Sequence, residues 1–202
     1  VGIYLSAHPL DEYEVILENV CNVKMAALTD LTPLQNLDLV LGGIVTGVRE
    51  GYTKNGKPYG IAKVEDYSGS AEFAFFGNDW IEKKNFFNIG MFLYMKGKCQ
   101  PKQWRQDEYE VKVNTIELLP DVKESVIEKL TINAPLTEIN DELIEELSSL
   151  VKSHPGNVEL NFHIQDDEGQ QINLAAKTLK INVQKDIIAF LKSQTALSYK
   201  IN

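Results

Sequence analysis

The run Leu39-Val40-Leu41-Gly42-Gly43-Ile44-Val45-Thr46-Gly47-Val48 constrains this chain more than any other stretch. It is apolar and β-branched, which suits a half-buried strand, and its glycines allow the sharp bending that closes a small sheet on itself. Downstream, Asn55-Gly56 lies between Tyr52 and Tyr59, a hairpin signal. Residues Tyr59–Glu65 and Ala71–Phe76 read as strands, joined by the turn Asp66-Tyr67-Ser68-Gly69. Asn78 or Asp79 then caps a helix reaching Phe87, because Trp80, Ile81, Lys84 and Phe87 recur at helical spacing. Met91–Cys99 and Glu108–Leu118 are two further strands, separated by a polar loop, Gln100–Asp107.

Three strands, a helix and two strands is the order of a five-stranded Greek-key OB-fold. The fold class expected is therefore a β barrel plus α+β: an OB-fold over residues 40–119 and a small β-α-β-β-α domain over 120–202. Residues 1–39 form a helical or loop-rich leading segment, in which Asp11 caps a helix over Glu12–Asn19. In the last domain a short strand, Leu130–Ile132, precedes a helix capped by Asn140 or Asp141. Its apolar stripe is Leu143, Ile144, Leu147, Leu150 and Val151, and His154-Pro155-Gly156 stops it. Val158–Ile164 alternates as a strand, Asp167-Glu168-Gly169 turns, Gln171–Ala175 returns, and Lys185–Lys192 is a closing helix.

The formal net charge of −9 is unevenly spread. Residues 1–39 hold one lysine and six acids, and residues 121–170 hold three lysines and 12 acids. Residues 40–119 hold 11 basic and 10 acidic side chains, so a phosphate backbone meets no net repulsion there. Cys21 and Cys99 fall in no CxxC pair and read as free thiols in a reducing cytoplasm. No apolar run reaches the roughly 18 residues of a membrane span. The start, Val1-Gly2-Ile3-Tyr4, has neither an initiator methionine nor a signal peptide's charged and apolar regions, so the chain reads as a piece of something longer.

Chemistry is sparsely signalled. His8, His154 and His163 lack metal-ligand spacing, and Asp166-Asp167-Glu168 lacks the spaced oxygen ligands of a calcium loop. Gly42-Gly43 opens no helix and cradles no phosphate. No catalytic residue, metal or cofactor is expected. Nucleic-acid binding is better supported, because OB-folds carry strands across the face of their second and third strands, between two loops. Those places hold Arg49, Tyr52, Lys54, Lys57, Tyr59, Lys63 and Phe73 on one side and Lys102, Gln103, Trp104 and Arg105 on the other. Cations suit phosphates, rings stack on bases, and a tryptophan in a polar loop is costly without a use. Against this, Phe73 and Phe75 share one face of a strand and Phe76 takes the other, so some rings are core.

Residues 1–13, Val-Gly-Ile-Tyr-Leu-Ser-Ala-His-Pro-Leu-Asp-Glu-Tyr, resemble a segment preceding the OB domain of the bacterial DNA polymerase III alpha subunit, with Ala7 in place of a glycine. Gly43-Ile44-Val45, Thr53 to Lys57 and Glu65 to Glu72 resemble the start of that OB domain, and the region around Leu147, His154-Pro155-Gly156 and the following hairpin resembles the subunit's C-terminal domain. The resemblance implies a DNA-directed DNA polymerase as the full-length parent. The active-site carboxylates, the metal-binding PHP domain and the internal clamp motif then lie upstream of this piece. It also implies an OB domain contacting single-stranded template DNA and a C-terminal domain docking the clamp-loader tau subunit. Weak, salt-dependent DNA binding, contact with the rest of the polymerase chain, no membrane and a monomer are the expected associations. Trp104 and Arg105 come from the residues alone. A replisome protein-interaction module and an anticodon-type RNA binder are the alternatives.

Overall fold

The computed structural model describes residues 8–202, which form two compact units, one ending at Lys123 and the other running Glu124–Asn202. In the first, five strands form one antiparallel sheet: β1 (Asp38–Tyr52), β2 (Pro58–Asp66), β3 (Gly69–Phe76), β4 (Phe92–Lys102) and β5 (Arg105–Leu118), in the order β3-β2-β1-β4-β5. This is the five-stranded OB-fold expected. The fifteen-residue β1 serves both halves of the sheet. It pairs with β4 through Asp38–Ile44 and with β2 through Ile44–Tyr52, and its register shifts between Val45 and Gly47. Such a shift bends a strand and increases its twist. Among the described residues no ladder joins β3 to β5. The space between those edges is a groove of about 610 Å³, lined by both strands and by Met25, Leu28 and Leu31.

The core of this unit is the inward face of the sheet: Leu39, Leu41 and Val45 of β1, Ala62 and Val64 of β2, Phe73 and Phe75 of β3, and Leu93 and Met95 of β4. Helix α2 (Asn78–Lys83), followed by a 3-10 turn at Lys84–Phe86, places Trp80 and Phe87 on that core. The expected helix to Phe87 is therefore shorter and ends in a tighter turn. Its N-cap is Gly77 and no side chain caps it, because Asp79 turns instead to Lys83 and Lys112. The polar loop expected at Gln100–Asp107 is mostly strand. Lys102 pairs with Arg105, leaving Gln103-Trp104 as a two-residue turn.

The leading segment packs on the sheet. A 3-10 turn at Asp11–Tyr13 and helix α1 (Glu14–Asn19) bury Leu10, Tyr13, Ile16 and Leu17. Residues 1–7 of the expected polymerase-like segment lie outside the described residues; His8 to Tyr13 lie within them. Asp11 does not cap a helix, and its carboxylate accepts from the Tyr67 hydroxyl at 2.8 Å. The His8 ring rests on Tyr67 with centroids 4.8 Å apart. Asp66 holds the next part of the segment, accepting from the Met25 amide at 2.9 Å while also closing its own turn through the Ser68 and Gly69 amides. The buried Met25 joins the core. Cys21 and Cys99 are free thiols; burial, with Asp66 nearby, pushes Cys21 up to about 12. After β5, a short helix α3 (Leu119–Val122) buries Leu119 and Val122.

The second unit is a four-stranded mixed sheet, β8-β7-β6-β9, built from β6 (Lys129–Pro135), β7 (Pro155–Gln165), β8 (Gln171–Ile181) and β9 (Ser198–Ile201). Helices α4 (Asp141–Ser153) and α5 (Lys185–Ser193) follow β6 and β8. Because α4 is a crossover, β6 and β7 run parallel. Asn140, one of the two caps expected, accepts from the Leu143 amide at 2.9 Å. Of the expected stripe, Leu143 is buried, Leu147, Leu150 and Val151 are half-buried, and Ile144 is exposed. The expected β-α-β-β-α order gains a last strand, β9, which pairs with β6. Leu130, Ile132, Leu160 and Ile181 lie buried on one face of the sheet, and Asp166 organises the β7–β8 turn by accepting from the Glu168 and Gln170 amides. Among the described residues no helix is long and apolar enough to cross a membrane, and no three His, Cys, Asp or Glu side chains gather as metal ligands.

Candidate nucleic-acid interface

Antiparallel pairing decides which side chains share a face. Ala62 is fully buried and pairs with Val48 and Phe73, so those three point inward. The intervening pairs point outward: Lys63 with Gly47 and Glu72, Ile61 with Arg49 and Ala74, and Tyr59 with Gly51 and Phe76. The outer face of β1, β2 and β3 thus carries two rings and two cations. Tyr59 and Phe76 lie with centroids 6.1 Å apart, and Phe76 is 57% exposed. The Tyr59 ring lies over Gly51, where a side chain would crowd it at 3.1 Å.

Phe73, a sequence candidate, is 4% exposed and packs in the core, so it offers no surface to a base. Phe76, which was not among the sequence candidates, is the β3 ring on the outward face. Alternation separates Phe73 and Phe75 from Phe76, but only the pairing of Phe73 with buried Ala62 says which set faces out.

The remaining candidates fall into two groups. Around the β1–β2 hairpin, Tyr52 is 76% exposed, and Lys54 and Lys57 are exposed at a tip closed by Gly56 at φ +74°. Lys63 is exposed on β2, and Arg49 donates to Glu72 at 3.0 Å. At the β4–β5 hairpin, Trp104 is 90% exposed in the turn. There Lys102 and Arg105 each bind Glu108 at 2.6 Å, and these two cations hold the Glu108 carboxyl below its ordinary range. Both groups are therefore mixed in sign, Glu72 pairing with Arg49 and Glu108 with both Lys102 and Arg105. Asp79 of α2 reaches Lys112 of β5 at 3.1 Å and also pairs with Lys83. Burial raises the Asp79 carboxyl, but its two lysine hydrogen bonds outweigh this and leave it lowered.

Residues 39–119 match the family described as OB-fold nucleic acid binding domain, and residues 130–202 match DNA polymerase III alpha subunit, C-terminal domain. In these two matches the chain is similar to the C-terminal region of the DNA polymerase III alpha subunit. A DNA polymerase III subunit alpha from Saccharopolyspora erythraea is 25% identical over 84% of this chain and 14% of its own length. One from Pseudomonas fluorescens is 20% identical over 96% of the chain and 16% of its own. One from Mycobacterium tuberculosis is 23% identical over 95% of the chain and 16% of its own. The chain therefore spans about a seventh of the length of these alpha subunits.

In OB-folds generally, the face of the second and third strands and the loops flanking it are where a strand is taken. Ten of the eleven sequence candidates are on the corresponding surface or at its hairpins, and the eleventh, Phe73, is beneath it.

Proposed function

We propose that the OB unit guides single-stranded DNA across the outer face of β1, β2 and β3, between the β1–β2 and β4–β5 hairpins. The observation that carries this reading is the solvent-facing pair of rings, Tyr59 and Phe76, flanked by Arg49 and Lys63. Outward-facing rings accept any base by stacking, at roughly 1–3 kcal/mol per base, and nearby cations neutralise phosphates without reading sequence. A template guide needs those two properties and no others. With Glu72 and Glu108 in the same surface, binding is weak and falls steeply with salt. The chain itself supplies no catalysis in this reading, and it works in the cytoplasm as part of a polymerase.

The second unit serves as a protein-docking module, with the clamp-loader tau subunit as the partner that the alpha-subunit likeness suggests. The observation favouring it is an apolar end left uncovered: Ile172 and Leu174 of β8 are 53% and 49% exposed beside half-buried Phe162 and Ile164. Exposed apolar side chains grouped in this way suit protein contact.

Fluorescence anisotropy of a labelled oligothymidine, at low and moderate salt, tests the first reading. Salt-sensitive binding, weakened by Phe76→Ala and by Lys54→Glu with Lys57→Glu, supports it. A folded chain that leaves the oligonucleotide free at low salt overturns it and leaves protein docking as the function.

A further inference from the structure

The extended β4–β5 hairpin sets Lys102 directly opposite Arg105 across a two-residue turn. Two like charges so paired repel, and the pair costs stability unless an anion lies between them. Here the anion is Glu108. Its Oε2 accepts from Lys102 Nζ at 2.6 Å and its Oε1 from Arg105 Nη1 at 2.6 Å, so each oxygen of one carboxylate serves a different cation. The three side chains remain 43%, 70% and 37% exposed. Ion pairs this open to water are weak and exchange readily.

We propose that Lys102 and Arg105 form a phosphate seat for single-stranded nucleic acid, which Glu108 fills in the strand's absence. The inference rests on the reading of the OB unit as a single-strand guide and adds a specific site to it. A phosphodiester carries the same divided charge as a carboxylate, with anionic oxygens that take hydrogen bonds from separate donors. Trp104, 90% exposed in the turn between the two cations, supplies a ring on which the adjoining base stacks. Lys102, Trp104, Arg105 and Glu108 line a recess of about 350 Å³, together with Gln103 and Glu110. An arriving phosphate displaces the carboxylate, which swings into solvent, and no covalent bond changes. Glu108 thereby sets a threshold: isolated phosphates and short strands compete poorly, whereas a strand already held on the β1–β3 face delivers its phosphate at high local concentration.

The test is anisotropy with labelled oligothymidine on the whole chain, comparing wild type, Glu108→Gln and Glu110→Gln. Both substitutions remove one negative charge from the recess, but only Glu108 bridges the two cations. Glu108→Gln is expected to tighten binding about fivefold or more at low salt. It also steepens the slope of log K against log salt by about 0.7 for each cation released to phosphate. Glu110→Gln changes both far less, and adding Lys102→Ala to Glu108→Gln removes the gain. Equal gains from the two glutamine variants would reduce Glu108 to general repulsion and overturn the seat. Unchanged binding by Glu108→Gln beside a wild type that binds would overturn the seat alone. Absence of binding by wild type and Glu108→Gln alike, both folded by circular dichroism, would sink the single-strand reading and the seat with it.

Discussion

The indole of Trp80 lies directly on the bare backbone of Gly60, where a methyl group would fall 2.4 Å from three ring carbons. Trp80 in turn stacks on Phe87 at 6.0 Å, and Phe87 meets Phe75 at 4.9 Å, so one missing side chain on β2 seats the whole α2 region on the sheet. Gly60→Ala therefore overpacks the core and is expected to cost about 1–3 kcal/mol. Urea unfolding followed by tryptophan fluorescence measures it, and an unchanged midpoint would contradict this account of α2.

Phe73 and Phe76 separate stability from binding. Phe73→Ala leaves a core cavity and is expected to cost about 3–5 kcal/mol of unfolding free energy. Phe76→Ala removes a ring that is 57% exposed, so the unfolding midpoint barely moves while oligothymidine binding weakens by roughly 1–3 kcal/mol. Thermal melts and anisotropy on the same two variants decide it; weakened melting by Phe76→Ala with intact binding would reverse the assignment.

Asp66 ties the leading segment to the β2–β3 turn through the Met25 amide. Asp66→Ala removes the side-chain acceptor of the half-buried Met25 and Gly69 amides and of the exposed Ser68 amide. A loss of about 1–3 kcal/mol is expected, by the cost of stranding buried or half-buried donors. Native-state hydrogen exchange should show the Met25 amide losing protection first. Protection equal to wild type would mean the segment is held by Met25 packing alone.

The Asp79 carboxyl is lowered in the folded chain, after its burial is outweighed by Lys83 and Lys112. A lowered carboxyl binds its proton less readily when folded than when unfolded. Its contribution is therefore present above the unfolded value, about 3.9, and is lost as pH falls through the lower folded value. Asp79→Asn should lower stability at neutral pH and flatten the acid limb of a Tm-against-pH curve below about pH 4. Parallel acid limbs for wild type and variant would show that the lysine contacts do not persist in solution.

In the second unit, Asn140 caps α4 by accepting from Leu143. Asn140→Ala is expected to cost about 1 kcal/mol, and Asn140→Asp close to nothing. A guanidinium titration of the two variants measures the difference.

The OB order was legible because strand periodicity, Asn55-Gly56 and the glycines of β1 each act locally on the backbone. The same holds for α4, whose cap and stop at Asn140 and His154 are local features. What tertiary structure decided is of another kind. Alternation sorts side chains onto two faces but carries no sign for the inward one. That sign came from the pairing of Phe73 with buried Ala62 and turned Phe76, rather than Phe73, to solvent. Asp11 and Asp79 looked like helix caps, yet distant partners, Tyr67 and Lys112, offered them better contacts. The four-residue β9 is too short for its own period to be read and exists because β6 presents an open edge. Sequence alone determined the elements and their order, since those follow from neighbouring residues. The faces, the ion pairs and the Lys102–Glu108–Arg105 bridge were decided only when strands remote or offset in sequence were brought into register.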